Sequence, residues 1–167
     1  GDVYKRQALE QKQKSVSILE EILTANHPEL AAIYMSIGNT YRHLANYNKA
    51  LFYQKKSLAI REEILPINHP DLATIYDNIG NTYRNLTNYD KALVYQKKSL
   101  AIREEILSNN HSDLATIYNN IAITYRVLTV YDKALFYQEK CLAIWDKTLP
   151  FDHPNLAVIY SLSLIHI

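Results

Sequence analysis

Residues 69–110 read HPDLATIYDNIGNTYRNLTNYDKALVYQKKSLAIREEILSNN, and the same 42 positions recur with few changes on both sides. The preceding copy occupies residues 27–68, and the following copy occupies residues 111–152. Residues 8–26 match the second half of a unit (its helix B), and residues 153–161 match the beginning of another (its helix A). A fixed period of this length predicts a stack of like supersecondary units instead of one closed core.

The two ends of the chain, residues 1–7 and 162–167, stand outside the repeat. Residues 2–7 read DVYKRQ and residues 162–167 read LSLIHI. A back-translation of the first has a reverse complement that encodes the second, and the shared DNA resembles a transposon end used in preparing sequencing libraries. We therefore expect both ends to be non-native flanks and leave them out of the fold reasoning. Residues 8–161 are then expected to be an internal fragment of a longer array.

Charge, hydropathy and cysteine usage exclude several classes of protein. Without the flanks, the chain carries 16 Lys and Arg against 16 Asp and Glu, and this balance argues against a nucleic-acid or anionic-membrane binder. No run of about 18 apolar residues occurs, so we expect no membrane span. The lone Cys141 occupies the position held by Ser57 and Ser99, which indicates a packing residue. A single thiol also fits a reducing, cytoplasmic compartment.

Each unit contains two helical patterns. Apolar residues at three-four spacing run along residues 28–45, which we call helix A, and Pro28 suits the first turn. A second pattern, helix B, continues to about Leu65. The residues predicted to cap the start of helix B in the three units are Asn48, Asp90 and Asp132.

Two sets of repeated residues indicate close packing. Thirteen of the 14 tyrosines fall on four positions of the repeat, which is typical of packing within and between units and not of ligand stacking. Gly38, Gly80 and Ala122 share one position in the middle of helix A. Because glycine costs about 1 kcal/mol there, we expect two helix backbones to approach closely at that position.

The order of large, small and aromatic positions resembles the tetratricopeptide repeat, in which helix A carries large, large, small and aromatic residues and helix B carries two small ones. The 42-residue unit, with the segments HPDLATIY, YDKAL and KSLAIREEIL, is similar to the longer variant found in kinesin light chains. The resemblance covers residues 8–161 and implies an all-α solenoid of antiparallel helix pairs in a right-handed superhelix. The residues that carry it in the first unit are Tyr34, Ile37, Gly38, Tyr41, Ala50 and Ser57.

The sequence contains no constellation of catalytic residues. Histidine recurs once per unit at the start of helix A, and equivalent residues lie too far apart to share a metal ion that His ligands bind at about 2 Å. We therefore place these histidines in the turn between units. The sequence has no phosphate loop, zinc motif or nucleophile elbow, so we expect no enzyme activity, no cofactor and no metal. The histidines are His27, His69, His111 and His153.

The face of helix A opposite its apolar stripe is the candidate binding surface. In tetratricopeptide arrays helix A lines the concave groove, so the resemblance implies that this face is the groove floor. Asparagine recurs there although it is a poor helix former, and an amide that both donates and accepts suits a peptide backbone. By resemblance, Asn78 and Asn120 match the groove asparagines of kinesin-light-chain-like repeats. The predicted floor residues are Asn39, Asp77, Asn78, Asn81, Asn85, Asn119 and Asn120.

Arginine occupies one position beside this floor in all three units. These side chains favour carboxylate groups of a ligand. The alternative is that they pair with acidic residues on adjacent helices, namely Asp71, Asp77 or Asp113. The arginines are Arg42, Arg84 and Arg126.

Two functions fit these observations. The first is a non-enzymatic scaffold whose groove binds extended peptide segments of partner proteins, acidic ones included, with neither nucleic acid nor membrane as a partner. The second is a recruitment or sensor arm of a larger protein, since families with such repeats include ADP-ribosyltransferases and nucleotide-binding switch proteins. Because both ends interrupt a unit, we also expect self-association through uncovered apolar faces there.

Overall fold

The computed structural model describes residues 2–109 and 111–148, with Asp2 and Lys5 described by their backbone alone. The predicted partial unit at residues 153–161 and the flank at residues 162–167 lie outside these ranges. The described residues form seven α-helices and no strand, in agreement with the predicted all-α fold. The helices are α1 (Asp2–Ile22), α2 (Pro28–His43), α3 (Tyr47–Ile64), α4 (Pro70–Asn85), α5 (Tyr89–Ile106), α6 (Ser112–Val127) and α7 (Tyr131–Thr148).

The order of contacts is that of a linear stack. Helices α2, α4 and α6 are helix A of the three units, and α1, α3, α5 and α7 are helix B, with residues 2–7 continuing α1 at its N-terminal end. In the described part of the chain, each helix contacts only helices of its own unit or of the adjacent unit. This is the contact pattern that the period predicts.

Helix A begins at an equivalent residue in each unit because a histidine caps it. Nδ1 of His27 accepts a hydrogen bond from the backbone N–H of Glu29 at 3.2 Å. Pro28 takes the first helical position, where a missing N–H leaves no bond unmade. His27, His69 and His111 therefore lie in the turn between units, as predicted, while His153 lies outside the described residues. The equivalent caps are His69 to Asp71 and His111 to Asp113, both at 3.1 Å.

Helix B begins earlier than the sequence analysis predicts. Oδ1 of Asn46 accepts from the N–H of Lys49 at 3.3 Å, and Asn88 does the same for Lys91 at 3.2 Å. Asparagine oxygen satisfies one of the free N–H groups at a helix start, so the chain turns helical immediately after Asn46 and Asn88. The prediction of later caps was wrong, because the residues named for that role already lie in the first turn: Asn48, Asp90 and Asp132.

The turn between helix A and helix B holds one residue in the left-handed region. Ala45, Thr87 and Thr129 have φ angles of 56°, 57° and 60°. A residue with a Cβ atom is strained there by about 1–2 kcal/mol, and glycine is the usual choice at this point after a helix. Each unit therefore contains the same local strain.

The core is divided into three clusters that follow one another along the stack. Each is centred on helix A and takes residues from helix B of the preceding unit: Val16 packs with Ile37, Leu58 with Ile79, and Leu100 with Ile121. The three isoleucines are fully buried. Since burial of one such side chain stabilises the fold by about 1.5–3 kcal/mol, each unit depends on its neighbour for stability.

The two helices of a unit approach closely at the glycine position. A Cβ atom on Gly38 would lie 2.8 Å from Cγ of Gln54 and 3.1 Å from the carbonyl oxygen of Ala50. The geometry at Gly80 is nearly the same, with 2.9 Å to Cγ of Gln96. The predicted close approach is therefore confirmed.

Tyrosines at three of the four repeat positions pack as predicted, whereas Tyr131 at the fourth position is 50% exposed and Tyr160 lies outside the described residues. Tyr53 stacks on Tyr41 with ring centroids 5.7 Å apart and lies 6.1 Å from Tyr34. The hydroxyl of Tyr34 donates to Glu20 of the preceding helix B, and Lys56 lies 4.7 Å from the centre of its ring. The same arrangement recurs in the following units, where Tyr76 donates to Glu62 at 2.6 Å and Tyr118 to Glu104 at 2.7 Å.

Candidate functional site

Helices α2, α4 and α6 lie side by side, with direct contacts from α2 to α4 and from α4 to α6. Their common polar face, which we call the A face, contains the predicted floor residues. Asn85 is exposed at the last residue of α4. The other floor residues are half-buried: Asn39, Asp77, Asn78, Asn81, Asn119 and Asn120.

Asp77 lies at the centre of the A face and joins two units. Nδ2 of Asn120 on α6 donates to its Oδ1 at 3.1 Å. Nδ2 of Asn81, one turn further along α4, donates to the same oxygen at 3.3 Å. Two of the predicted asparagines thus bind the carboxylate of this protein itself. In contrast, Asn78 donates to the carbonyl oxygen of Thr74 in its own helix at 3.0 Å.

The charges around Asp77 oppose the effect of its burial. Burial raises the pKa of the Asp77 carboxyl, while Arg103, the hydrogen bond from Asn120, Arg84 and Arg42 act in the other direction. Burial also lowers the pKa of Arg84, against the attraction of Asp77. Burial is the largest of these effects for both groups, so the ionised carboxylate is held where its hydration is poor.

Asp77 therefore gives Arg42 and Arg84 a partial internal counter-charge, as the alternative interpretation predicted for that acid. That interpretation does not hold for the other two acids. Asp71 forms an ion pair with Arg61 on helix B at 2.8 Å. The backbone carbonyl of Asp113 accepts from Arg103 at 3.1 Å.

Arg103 contributes to the electrostatics of the A face, and it was not among the residues predicted from the sequence. It is a buried residue of helix B, and it acts on Asp77 through space while it bonds to the start of α6. Its repeat position is held by Arg61 in the first unit and by Trp145 in the third. An arginine at a position that holds tryptophan in the third unit could have indicated a buried charge in helix B.

Four polar atoms of the A face are buried and have no hydrogen-bond partner among the described residues. Two are donors, Nε of Arg42 and Nη1 of Arg84, and two are acceptors, Oδ1 of Asn39 and Oδ1 of Asn81. Most buried polar atoms in native proteins are paired, and each unpaired one costs about 1–3 kcal/mol. The part of the A face shared by α2 and α4 is therefore not satisfied by the protein's own groups.

The A face becomes less polar in the third unit. Ile123 replaces the asparagine of the earlier units, and Val127 is 46% exposed at the end of α6. Asn119 stands at the position of Asp77, so Arg126 has no acidic residue at the equivalent place on its own helix. The two ends of the A face thus differ in both charge and polarity.

Cys141 is a packing residue, as predicted. It is fully buried in the third cluster, and burial raises the pKa of its thiol to about 12. The hydroxyl of Ser57, at the same repeat position, donates to the carbonyl oxygen of Ala31 at 2.6 Å. Among the residues that the structure describes, no group of His, Cys, Asp and Glu is arranged to hold a metal ion. The helices described here also include none that is long and apolar enough to cross a membrane.

A family model for the tetratricopeptide repeat matches residues 6–63 and 71–147. The chain belongs to the tetratricopeptide repeat (TPR) family. No curated protein matches the chain significantly. The TPR fold identifies the chain as a scaffold for protein–protein interaction, a class whose members are typically not enzymes.

Solved structures agree with this assignment at the level of the fold. A Podosopora anserina protein with nearly identical kinesin-light-chain TPR-like repeats has a TM-score of 0.82 at 20% identity, covering 95% of this chain and 75% of that one. BtubC (BKLC) from P. vanneervenii has a TM-score of 0.81 at 21% identity, with 98% and 67% covered. The apo form of RapI has a TM-score of 0.76 at 21% identity, with 95% and 42% covered. The fold of this array is therefore similar to that of solved TPR proteins that include a putative kinesin light chain.

Proposed function

We propose that the A face binds an extended peptide segment of a partner protein. The observation that carries the proposal is the set of four unpaired buried atoms on α2 and α4, in Asn39, Arg42, Asn81 and Arg84. All four side chains are half-buried, so a ligand on the A face contacts them directly and can reach the unpaired atoms when these side chains adjust. A ligand that completes these bonds removes a cost which the free protein bears.

An extended backbone has the chemistry that this set requires. It alternates C=O groups, which accept from the two guanidinium donors, with N–H groups, which donate to the two amide oxygens. A ligand with acceptors alone would leave Asn39 and Asn81 unsatisfied. The mixed donor and acceptor set therefore favours a peptide over a simple anion.

We place acidic side chains of the ligand towards Arg126 and not towards Arg84. Asp77 already partly neutralises Arg42 and Arg84. Arg126 has Asn119 at the corresponding position, and its guanidinium group suits a carboxylate. Acidic preference should thus be strongest at the ligand residues that lie over the third unit.

The second candidate, a recruitment or sensor arm of a larger protein such as an ADP-ribosyltransferase or a nucleotide-binding switch protein, uses the same face. In this candidate the bound segment is brought to another domain of the same larger protein, whereas in the first candidate it is simply held by the scaffold. We also propose a cytoplasmic setting, because the single cysteine of the chain provides no disulfide framework.

The test is a peptide-library selection on the whole chain, followed by titration of the selected peptide. Replacing Asn39 and Asn81 together with alanine removes two hydrogen bonds of about 0.5–1.5 kcal/mol each. Affinity should then fall about 5- to 150-fold with the helix content retained. The matched control is Asn48→Ala, which changes an exposed asparagine in the first turn of α3, outside the A face. If the double variant binds as tightly as the control, the A face is not the binding site.

A further inference from the structure

Many charged side chains of this chain lie near one of two opposite edges of the helix stack, whereas Lys56, Lys98 and Lys140 lie between these edges in the middle of helix B. The basic edge comprises the end of helix A and the first half of helix B, and the acidic edge comprises the end of helix B and the start of the next helix A. Residues 39–55, 81–97 and 123–139 contain eight Lys and Arg against three Asp and Glu. Residues 17–35, 59–77, 101–109 and 111–119 contain ten Asp and Glu against two Arg. A chain that is neutral as a whole therefore has two edges of opposite sign.

The exposed lysines of the basic edge are held in place by tyrosine rings. Lys49 lies 5.4 Å from the centre of the Tyr41 ring, a separation at which an ammonium group is attracted to an aromatic face. The same arrangement recurs in the next two units. The further lysines and their distances to a ring centre are Lys55 at 5.5 Å and Lys91 at 5.6 Å from Tyr83, and Lys97 at 5.6 Å and Lys133 at 5.5 Å from Tyr125.

These lysines remain available to a partner. All five are exposed. The ion pairs found in the described residues use other cations, namely Lys56, Arg61 and Lys140. The basic edge is thus a series of positioned charges without acidic partners in the part of the chain that the structure describes.

The acidic edge is ordered by the same repeat. Glu63 accepts a hydrogen bond from Asn26 in the preceding turn at 3.3 Å, and Glu105 accepts from Asn68 at 3.1 Å. Glu21 holds the equivalent position in α1. All three glutamates are exposed, and they recur with the same 42-residue period as the lysines.

We propose that the basic edge docks on the acidic edge of a second copy of this chain. The spacing of charges on both edges is set by one repeat distance, so successive lysines of one copy meet successive glutamates of the other. A partner with an irregular distribution of acids would match only one unit at a time. Because the two surfaces differ, the contact is heterologous and leaves one edge of each copy free for a further copy.

The experiment uses two charge reversals and sedimentation velocity. In one variant Lys49, Lys91 and Lys133 are replaced by glutamate, and in the other Glu21, Glu63 and Glu105 are replaced by lysine. The parent should associate at low salt, and raising the salt from about 20 mM to about 300 mM should weaken this association at least about tenfold, because exposed charges are screened. Each variant alone should be monomeric, and an equimolar mixture of the two should associate again.

The outcomes separate this proposal from the others. Association that persists at high salt or in each variant alone would assign it to the apolar ends of the chain and overturn the proposal, as would a parent that is monomeric at low salt. The Asn39→Ala, Asn81→Ala variant should associate as the parent does, because neither asparagine carries a charge of either edge. Circular dichroism of both reversal variants verifies that the exposed substitutions leave the helices intact.

Discussion

A buried glutamine occupies the same repeat position at the junction between the first and second units and at the junction between the second and third. The two glutamines, Gln54 and Gln96, differ in their hydrogen bonding. Gln96 is fully buried and well bonded: its Oε1 accepts from Thr124 at 3.0 Å, and its Nε2 donates to the carbonyl oxygen of Asn120 at 3.4 Å. Gln54 holds the same position in the first unit and is equally buried, yet neither atom of its amide has a partner in the described structure. Near-identical units thus produce a satisfied junction and an unsatisfied one.

The two junctions also differ at the position of Asp77. Asp77 gives Asn120 an acceptor across the unit boundary, and Asn120 in turn borders Gln96. At the first junction the position of Asp77 is held by Met35, which offers no such acceptor, and Asn78 bonds within its own helix instead. The two junctions therefore differ in an acid on the A face as well as in the bonding of the buried glutamine.

The largest expected effect is a contrast between two identical substitutions. Gln96→Met removes hydrogen bonds and should destabilise the chain by about 1 kcal/mol, whereas Gln54→Met removes an unsatisfied buried amide and should stabilise it by about 1–2 kcal/mol. Methionine is used because it keeps the unbranched shape that the neighbouring glycine position requires. Urea unfolding of both variants provides the measurement. Equal losses in the two would show that both glutamines are satisfied alike.

A second prediction concerns the pH dependence that Asp77 introduces. Its pKa is raised in the folded state, so the folded chain binds the proton more tightly than the unfolded chain does. The contribution of Asp77 to stability is then fully present below its unfolded pKa and is lost as the pH rises through the folded pKa. Relative to Asp77→Asn, the parent should gain stability as the pH falls. Denaturant unfolding of both proteins at a series of acidic pH values measures this difference, and a constant difference contradicts it.

The smallest expected effect is a gain in stability at the turn between helix A and helix B. This gain should be the same in both units, because the turn lies within a unit and not at a junction between units. Ala45→Gly and Thr87→Gly each relieve a left-handed residue after helix A, and each should stabilise the chain by about 0.5–1 kcal/mol. Both positions precede an asparagine cap in the same turn, so the two gains should be similar. Thermal unfolding of the two single variants is sufficient. A gain at one position alone would mean that the turns differ in ways that the φ angles do not show.

The 42-residue period was sufficient to predict the helices, their pairing and the contacts between neighbours, because each of these depends on local pattern and on one repeated interface. The close approach at Gly38 followed from a residue that is otherwise unfavourable in a helix. The first residue of helix B could not be predicted from the sequence. Asparagine and aspartate occur at several adjacent positions there, and only the left-handed turn residue selects Asn46 over Asn48.

The site was predicted less completely than the fold. The sequence placed Asn81 and Asn120 on one face but gave no sign that both bind Asp77, since that depends on how far one unit is displaced from the next. Arg103 was missed because its helix lies on the other side of each pair. Whether the A face binds a peptide stays a prediction.

The glycine position in helix A has a consequence for the shape of the whole array. At Gly38 and Gly80 no side chain lies between the two helices of a unit, whereas the methyl group of Ala122 occupies the equivalent position in the third unit. In a stack, small rotations at each unit accumulate along the axis. We therefore expect a Gly to Ala change at this position to alter the rotation between neighbouring units, and so to change the width of a binding face several units away.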